Sequence, residues 1–205
     1  MAPSYWQQAS GELAENDPVM AELVARYSGA SLLSRGDPFS TLARSIVGQQ
    51  ISVKAADSVW ARFVERVGEV TPVRVGLAGE TGLAGCGLSR RKIEYVSDLA
   101  RQFLSGTMDP SRWVDLDDEA VIAELVGVRG IGRWTAEMFL IFNLMRPDVF
   151  PVDDIGLQRA VFERYFGGEK QPRCALVSYG DRWRPWRSVA TWYLWRSLDP
   201  VPVEY

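Results

Sequence analysis

The sequence predicts an all-α fold of about eight to ten helices, arranged as two helical lobes. Apolar residues recur at three- and four-residue spacing along most of the 205 residues, which is the period of an amphipathic helix. Runs that alternate with period two, as half-buried strands do, are missing. With 47% hydrophobic and 24% charged residues, a chain of this length can bury its own core, so we expect one domain over residues 1–205.

The predicted helices are separated by start and stop signals. Asp17-Pro18, Ser52 and Ser89 stand where a helix begins, since a side-chain oxygen can cap the first turn and proline suits its first position. Gly68 stands where one ends. The apolar stripes lie, in chain order, within residues 19–27, 39–47, 53–67, 90–104, 118–125, 134–144, 157–162 and 189–194.

Two segments interrupt this pattern. Residues 71–87 contain five glycines and a proline, which favours a loop with short helical turns. The stretch near 106–118 is acidic and contains Pro110. It is predicted to carry the chain from one lobe to the other.

Composition excludes several classes of site. The chain has no histidine and only two cysteines, Cys86 and Cys174. A structural zinc cluster, a four-cysteine iron–sulfur cluster and a histidine-dependent triad are therefore excluded. No stretch has the length of a membrane span, and the N-terminus lacks the features of a secretory signal. We expect a reducing compartment, the cytoplasm of a bacterium or the nucleus of a eukaryote.

Charge alone gives little support for a nucleic-acid partner. The net charge is −3 and the isoelectric point is near 5.2, whereas phosphate binding favours basic surfaces. Basic residues nevertheless gather at 90–92 and again at 182–187. These clusters fit a solvated helix surface as well as they fit phosphate contacts.

The most informative segment is a tight turn between two predicted helices, at residues 125–136. Gly130 and Gly132 flank Ile131 in the turn, where glycine permits positive φ and a close approach of another molecule. The N–H groups of the second helix's first turn then lie beside the positive end of its dipole. This arrangement predicts an anion site that a nucleic-acid phosphate would fit, although a plain helical hairpin would also have such a turn.

A pair of acids forms the second signal. Asp153 and Asp154 follow Gly132 after about twenty residues and precede another apolar helix stripe. One of the two is expected to cap that helix. Because a helix start needs one cap, the other acid suggests a chemical role.

Together these strings resemble the helix–hairpin–helix–Gly/Pro–Asp superfamily of DNA base-excision glycosylases, with the helix–hairpin–helix over about 118–145. Within it the chain is most similar to the 3-methyladenine DNA glycosylase II (AlkA/Mag-like) family. Further matching strings lie at 37–56, at 87–93 and in the Trp-Arg-Pro-Trp-Arg-Ser sequence at 183–188. The resemblance covers roughly residues 5–198. Some bacterial members carry an extra N-terminal β domain, and we expect none within these 205 residues.

The resemblance implies a glycosylase that hydrolyses the N-glycosidic bond of cationic, alkylated purines such as 3-methyladenine in duplex DNA, as a step of base excision repair. Asp154 aligns with the catalytic aspartate without a gap from the hairpin, which leaves Asp153 as a cap or phosphate-side support. Trp134 and Trp186 would form aromatic walls that attract a cationic base. Relatives that also cleave the strand carry lysine at the position of Trp134, so base hydrolysis alone is implied.

The resemblance also implies how DNA is held. A wedge must fill the gap left by the extruded nucleotide, and it would be Gln50 or its neighbours Gln49 and Ile51. The implied DNA-binding residues are Gln49, Gln50, Ser52, Arg91, Lys92, Gly130, Ile131, Gly132, Arg133 and Thr135. No cofactor is required, but a structural Na⁺ or K⁺ could be held by the main-chain carbonyls of Val126, Val128 and Ile131. Trp183, Trp192 and Trp195 are expected to be core residues.

Two other functions stay open at this point. A non-catalytic helix–hairpin–helix module for DNA would explain residues 130–135, but neither the paired acids nor the tryptophan motif at 183–188. A glycosylase for a deaminated, oxidised or mismatched base would use the same machinery with another pocket. The expected partner of the proposed enzyme is double-stranded DNA with alkylated bases, and we expect a monomer.

Overall fold

The computed structural model describes residues 2–198, and over this range the chain forms helices and no strand. The predicted all-α class is therefore confirmed. The helices are α1 (Trp6–Asn16), α2 (Pro18–Arg26), α3 (Pro38–Gly48), α4 (Val53–Val67), α5 (Pro72–Leu83), α6 (Arg90–Leu104), α7 (Asp118–Val126), α8 (Arg133–Phe142), α9 (Ile155–Tyr165), α10 (Arg173–Gly180) and α11 (Arg187–Leu198), with 3₁₀ turns at Pro110–Arg112 and Asp181–Trp183.

The chain divides into two compact helical units. Among the described residues, the first unit contains 2–34 and 140–198, and the second contains Arg35–Phe139. The change of unit therefore occurs in the loop after α2 and again within α8. The crossing predicted near 106–118 is wrong, because those residues belong to the second unit throughout.

An aromatic cluster explains why this segment stays in the second unit. The Trp113 ring is fully buried and meets Phe103 and Phe139 edge to face, with the Phe139 ring centre 5.3 Å away. Its indole N–H donates to a carboxylate oxygen of Glu124 at 2.9 Å. Burial of so large a ring with its polar group satisfied fixes the loop between α6 and α7 onto its own unit.

The second unit is built around α3. This helix packs against α4 and α6, and α5 packs against both of those helices. Phe39, Leu42 and Ile46 form its buried stripe, as the sequence predicts. Ser52 and Ser89 cap α4 and α6 by accepting the N–H groups of Ala55 and Lys92, so both predicted caps are confirmed.

Three helices were not predicted. They are α1, α5 and α10, and α5 shows the reason most clearly. It contains three glycines in its twelve residues and kinks at Gly79, where φ is +59°. Its packing on α4 and α6 overrides the low helical propensity of this sequence.

The helix–hairpin–helix element spans Asp118–Phe142, ending three residues before the predicted boundary. Helix α8 ends at Phe142 because Met145 adopts a left-handed conformation with φ +56°. The N–H group of Arg146 then turns back to the carbonyl of Leu140 at 2.9 Å. This bond satisfies a carbonyl at the end of the helix.

The first unit has α11 at its centre, packed against α9, α2 and α1. Its polar hub is Asp17, which is buried. Asp17 caps α2 by accepting the N–H groups of Val19 and Met20 at 2.9 and 3.2 Å. Its other oxygen accepts the Tyr165 hydroxyl at 3.0 Å and the Trp183 indole N–H at 3.1 Å.

Tyr5 fastens the start of the chain to the same unit. Its hydroxyl donates to the Met145 carbonyl at 2.7 Å, and its ring stacks on Trp186 with ring centres 5.6 Å apart. Burial raises the pKa of Tyr5 to about 12, because the phenolate would lose its hydration.

Both cysteines are free thiols, Cys86 buried and Cys174 exposed. None of the helices found between residues 2 and 198 combines the length and the apolar character that crossing a bilayer requires.

We expect Asp17→Ala to lower the free energy of unfolding by about 3 kcal/mol, since it removes a cap and leaves the buried donors of Tyr165 and Trp183 unpaired. Equilibrium denaturation measures this change. Asp37→Ala is the matched control, because the exposed Asp37 carboxylate caps α3 through the single N–H group of Ser40. Equal losses in the two variants would contradict the role of Asp17 as a hub.

We expect a pH-dependent difference in unfolding free energy between the wild type and Tyr5→Phe. Because the pKa of Tyr5 is raised on folding, the stabilisation is fully present below pH 10 and is lost as the pH rises towards about 12. Denaturant unfolding at several pH values from 8 to about 12 measures the difference. A difference that stays constant across this range would show that Tyr5 titrates alike in both states.

Candidate DNA-binding and catalytic sites

The hairpin turn has the form that its sequence predicts. Ile131 is only 4% exposed and donates its N–H to the carbonyl of Val128 at 3.1 Å. The first intrahelical bond of α8 runs from Ala136 to the Gly132 carbonyl, at 3.0 Å. The N–H groups of the first turn of α8 therefore point out of the helix end, where the dipole is positive.

Gly130 is required by both conformation and space. Its φ is +89°, and a Cβ atom there would lie 2.2 Å from the ring of Tyr95 on α6. Its neighbour Arg129 donates its N–H to the Asp98 carboxylate, also on α6, at 3.3 Å. Helix α6 thus packs against the hairpin through the Tyr95 ring and the Asp98 carboxylate.

Two residues predicted to hold phosphate are engaged otherwise. Arg133 pairs with both carboxylate oxygens of Glu119 and, at 3.0 Å, with Glu137. The Glu119 hydrogen bonds are the main cause of a raised pKa for the guanidinium. The Thr135 side chain is buried in α8. In this structure Arg133 joins α7 to α8 by ion pairs while its side chain stays half-exposed, so its phosphate contact remains a prediction. The buried Thr135 side chain leaves only the main-chain N–H for a contact with DNA.

The turn after α3 presents the three wedge candidates differently. Gln50 is exposed and has a left-handed backbone, with φ +59°. Ile51 is 41% exposed. Gln49 is half-buried and donates its side-chain amide to the Gly130 carbonyl at 2.8 Å. Ser52, the next candidate DNA contact, uses its hydroxyl to cap α4.

The two basic residues at the start of α6 also differ. Arg91 is exposed and lies over the Tyr95 ring, with an N–H donated to the Tyr95 hydroxyl at 3.0 Å. Lys92 instead donates to the main-chain carbonyls of Val47 and Gln49 at 2.8 and 2.6 Å. Burial lowers its pKa. The predicted phosphate contact of Lys92 is corrected, because its ammonium group is directed into the protein.

The carboxyl group of Asp154 is buried, with 8% of the residue exposed. Its Oδ1 accepts the N–H of Leu157 at 2.6 Å, which caps α9, and the indole N–H of Trp195 at 2.8 Å. Gly156 leaves room for this arrangement, since a Cβ there would lie 3.2 Å from Oδ1 and 3.4 Å from the Trp195 ring. Two donors on one oxygen fix the rotation of the carboxyl group.

Asp153 is not the cap that the sequence suggested. Its carboxylate forms a two-fold ion pair with Arg173, at 2.8 and 3.1 Å, on the surface. The cap is Asp154 itself. Asp154 is therefore both buried and the cap of α9. Asp153 joins the start of α9 to the start of α10.

Trp134 and Trp186, the predicted pocket walls, lie in different units. Trp134 is 37% exposed in the first turn of α8. Trp186 is half-buried, with Tyr5 stacked on its ring and its indole N–H donated to Glu12 at 2.6 Å. That donated hydrogen bond is the main cause of a lowered pKa for Glu12.

A small cavity lies beside Trp186 within the first unit. Glu12, Asn16, Arg182 and Arg184 are among its lining residues. Of the tryptophans expected in the core, Trp183 is fully buried, whereas Trp192 and Trp195 are only half-buried.

Sequence reasoning missed Trp195 as a partner of Asp154. The two residues are 41 positions apart, and the Trp195 ring stacks on Phe142 with centres 5.8 Å apart. No local pattern marks such a pair.

The chain is similar in sequence and in structure to known DNA repair proteins. Residues 43–179 match the family model of the HhH-GPD superfamily base excision DNA repair proteins. A DNA-3-methyladenine glycosylase of Bacillus subtilis is 30% identical over 91% of this chain, and the chain spans 66% of that protein's length.

Two solved structures are similar over most of their length. A DNA-3-methyladenine glycosidase of Bacillus halodurans is 34% identical, with 90% of each chain covered and a TM-score of 0.79. Mag1, a 3-methyladenine DNA glycosylase of Schizosaccharomyces pombe in complex with abasic DNA, is 28% identical, with 96% of this chain and 100% of that chain covered and a TM-score of 0.79. The chain therefore belongs to the HhH-GPD superfamily of base excision DNA repair proteins, and within it to the family of the 3-methyladenine DNA glycosylases.

Proposed function

We propose that this protein hydrolyses the N-glycosidic bond of alkylated, cationic purines such as 3-methyladenine in double-stranded DNA. The observation that carries the proposal is the buried carboxyl group of Asp154, held by the Leu157 and Trp195 N–H donors at the start of α9. A carboxyl group fixed out of bulk water can stabilise charge that develops in a transition state. Family membership supplies DNA as the substrate class.

The chemistry requires one carboxylate and one water molecule. When the C1′–N bond breaks, its electron pair leaves with the purine, which thereby loses its positive charge. The deoxyribose becomes positively charged as the bond lengthens, and Asp154 stabilises that charge. Water attacks C1′, and Asp154 accepts its proton. Because the base is already cationic, no strong general acid is needed to release it.

We assign DNA binding to the second unit. The N–H groups in the first turn of α8, which follows the Gly130–Gly132 turn, would bind one backbone phosphate, and Arg91 would bind a distant one. Gln50 would be the wedge, since it stands exposed at the tip of the turn after α3. Ser52 would contact the strand beside it through its main chain. Few cationic contacts on an acidic protein imply a modest affinity for undamaged DNA, which falls as salt rises in proportion to the number of phosphate contacts.

An exposed aromatic face can attract a cationic base by about 0.5–2 kcal/mol per contact. Trp134 is 37% exposed at the start of α8 and is the residue that we assign to this contact. In the first unit, Trp186 would offer a second aromatic ring, on which Tyr5 stacks. Strand cleavage through a Schiff base needs an amine, and the chain has no lysine from Trp134 to Asp154, so we propose base hydrolysis alone.

A monovalent cation at the hairpin fits the donor kind that the turn presents. The main-chain carbonyls of Val126, Val128 and Ile131 are oxygen donors, and the Val128 carbonyl also accepts the Ile131 N–H. A bound Na⁺ or K⁺ would add positive charge beside the phosphate. We also propose that the protein acts as a monomer. Its compartment would be the one that holds the genome, which is the cytoplasm of a bacterium or the nucleus of a eukaryote.

We expect Asp154→Asn to slow base release by about 100-fold or more, because asparagine retains an oxygen for the cap but no negative charge. Release of free 3-methyladenine and 7-methylguanine from methylated DNA measures the activity. Binding to an abasic duplex should be retained, and Asp153→Asn, the matched control, should release bases at the wild-type rate.

Three outcomes would contradict this proposal. Wild-type activity in Asp154→Asn would remove the catalytic assignment. Release of hypoxanthine or oxidised bases, with none of the methylated purines, would indicate a glycosylase for another lesion. DNA binding without any base release by the wild type would indicate a non-catalytic module.

We expect Trp195→Phe to lower kcat about 10-fold with little change in KM, because a phenyl ring keeps the stacking on Phe142 but loses the N–H donor to Asp154. Steady-state excision kinetics measure the effect, and thermal unfolding checks the fold. Trp192→Phe makes the same chemical change in the same helix, where the ring packs edge-on against Trp6. A similar loss of kcat in both variants would show that α11 packing, and not the donated hydrogen bond, sets the rate.

A further inference from the structure

The turn of residues 49–51 has an unfavourable backbone conformation at Gln50. Gln50 has φ +59°, a region that residues other than glycine seldom adopt because it is strained. Such a residue persists only where its surroundings determine it. The supports of this turn are therefore informative about its role.

Lys92 provides the first support. Its ammonium group donates to the Val47 carbonyl at 2.8 Å and to the Gln49 carbonyl at 2.6 Å, which lie at the C-terminal end of α3. A cation there satisfies carbonyls without helical partners and complements the helix dipole. The lowered pKa of Lys92 agrees with removal of its charge from water.

Gln49 provides the second support. Its side-chain amide donates to the Gly130 carbonyl across 81 positions of sequence, at 2.8 Å. Gly130 in turn packs so closely on the Tyr95 ring that no side chain would fit. Because Lys92 and Tyr95 both belong to α6, this helix holds the turn and the hairpin in one fixed arrangement.

We propose that Gln49 and Lys92 are positioning residues, which fasten the wedge-bearing turn to the hairpin so that Gln50 can press into the base stack. Neither side chain contacts the reacting atoms or a phosphate in this proposal. It rests on the proposed function, and it deepens that function by assigning a role in extruding the nucleotide.

The physical reason lies in what a wedge must do. Extrusion breaks stacking and pairing, which costs free energy. The inserted side chain offsets that cost only if its backbone keeps its position. Gln50 is polar and makes a weak plug. A firm attachment of its turn therefore matters more than it would for a large apolar wedge.

The test compares a lesion that is paired with the same lesion unpaired. The substrates are two duplexes with 7-methylguanine, one opposite cytosine and the other opposite a tetrahydrofuran abasic analogue. We expect Gln49→Met, which keeps the side-chain length but has no donor, to slow release from the paired duplex about 3- to 10-fold. Release from the unpaired duplex should slow much less, because its extrusion needs less force.

Gln171→Met is the matched control, since the Gln171 amide also donates to a main-chain carbonyl, that of Glu169 at 3.4 Å, but only within its own loop. It should slow neither reaction. An equal loss on both duplexes for Gln49→Met would overturn the positioning role and leave the proposed function intact. Absence of release from both duplexes by the wild type would instead overturn the proposed function.

A second experiment separates positioning by Lys92 from phosphate binding. Arg91→Met should make the affinity for duplex DNA less dependent on salt, lowering the slope of log affinity against log salt by about one, as loss of a phosphate contact does. Lys92→Met should leave that slope unchanged and slow release from the paired duplex selectively.

A slope lowered equally by Lys92→Met and Arg91→Met would assign Lys92 to the phosphates and overturn its part of the proposal. Thermal unfolding is measured for each variant. If Gln49→Met and Lys92→Met both fail to fold, the two contacts serve the fold itself, and the proposal is wrong.

Discussion

The hydrogen bonds on a single oxygen of Asp154 are the constraint on which the rest of the site depends. A buried carboxyl group must be hydrogen-bonded to be tolerated, and here the donors are the first turn of α9 and the indole of Trp195. The oxygen that caps α9 therefore belongs to the same carboxyl group that we assign to the hydrolysis. We therefore expect removal of this acid to lower the stability of the protein as well as to remove the proposed chemistry.

Helix α6 has a comparable role in the second unit. Its residues Lys92, Tyr95 and Asp98 reach the turn after α3 and the hairpin before α8. None of these contacts needs DNA to be present. The elements assigned to DNA binding are therefore arranged before the substrate arrives, which reduces the ordering that binding requires.

The sequence predicts what is encoded locally and fails where distant residues decide. Neighbouring residues determine the apolar stripes and caps of α3, α4 and α6, and they also determine the Gly130–Gly132 turn. The all-α fold class and the helix–hairpin–helix could therefore be predicted. Helix α5 could not, because packing overrides its glycines. The pairing of Arg133 with Glu119, the direction of Lys92 and the contact of Trp195 with Asp154 all join separate segments. The identity of each residue predicts the charge of its side chain, but it does not predict which distant residue that side chain contacts.

The packing of Tyr95 on Gly130 has a consequence for the footprint on DNA. Arg91 lies over one part of the tyrosine ring, and the hairpin backbone touches another. The Tyr95 ring therefore lies between the exposed Arg91 guanidinium and the end of α8 that we propose binds a phosphate. A strand engaged by both would be gripped at an interval set by covalent geometry, so a different side chain at position 95 would change which phosphates along the strand are touched.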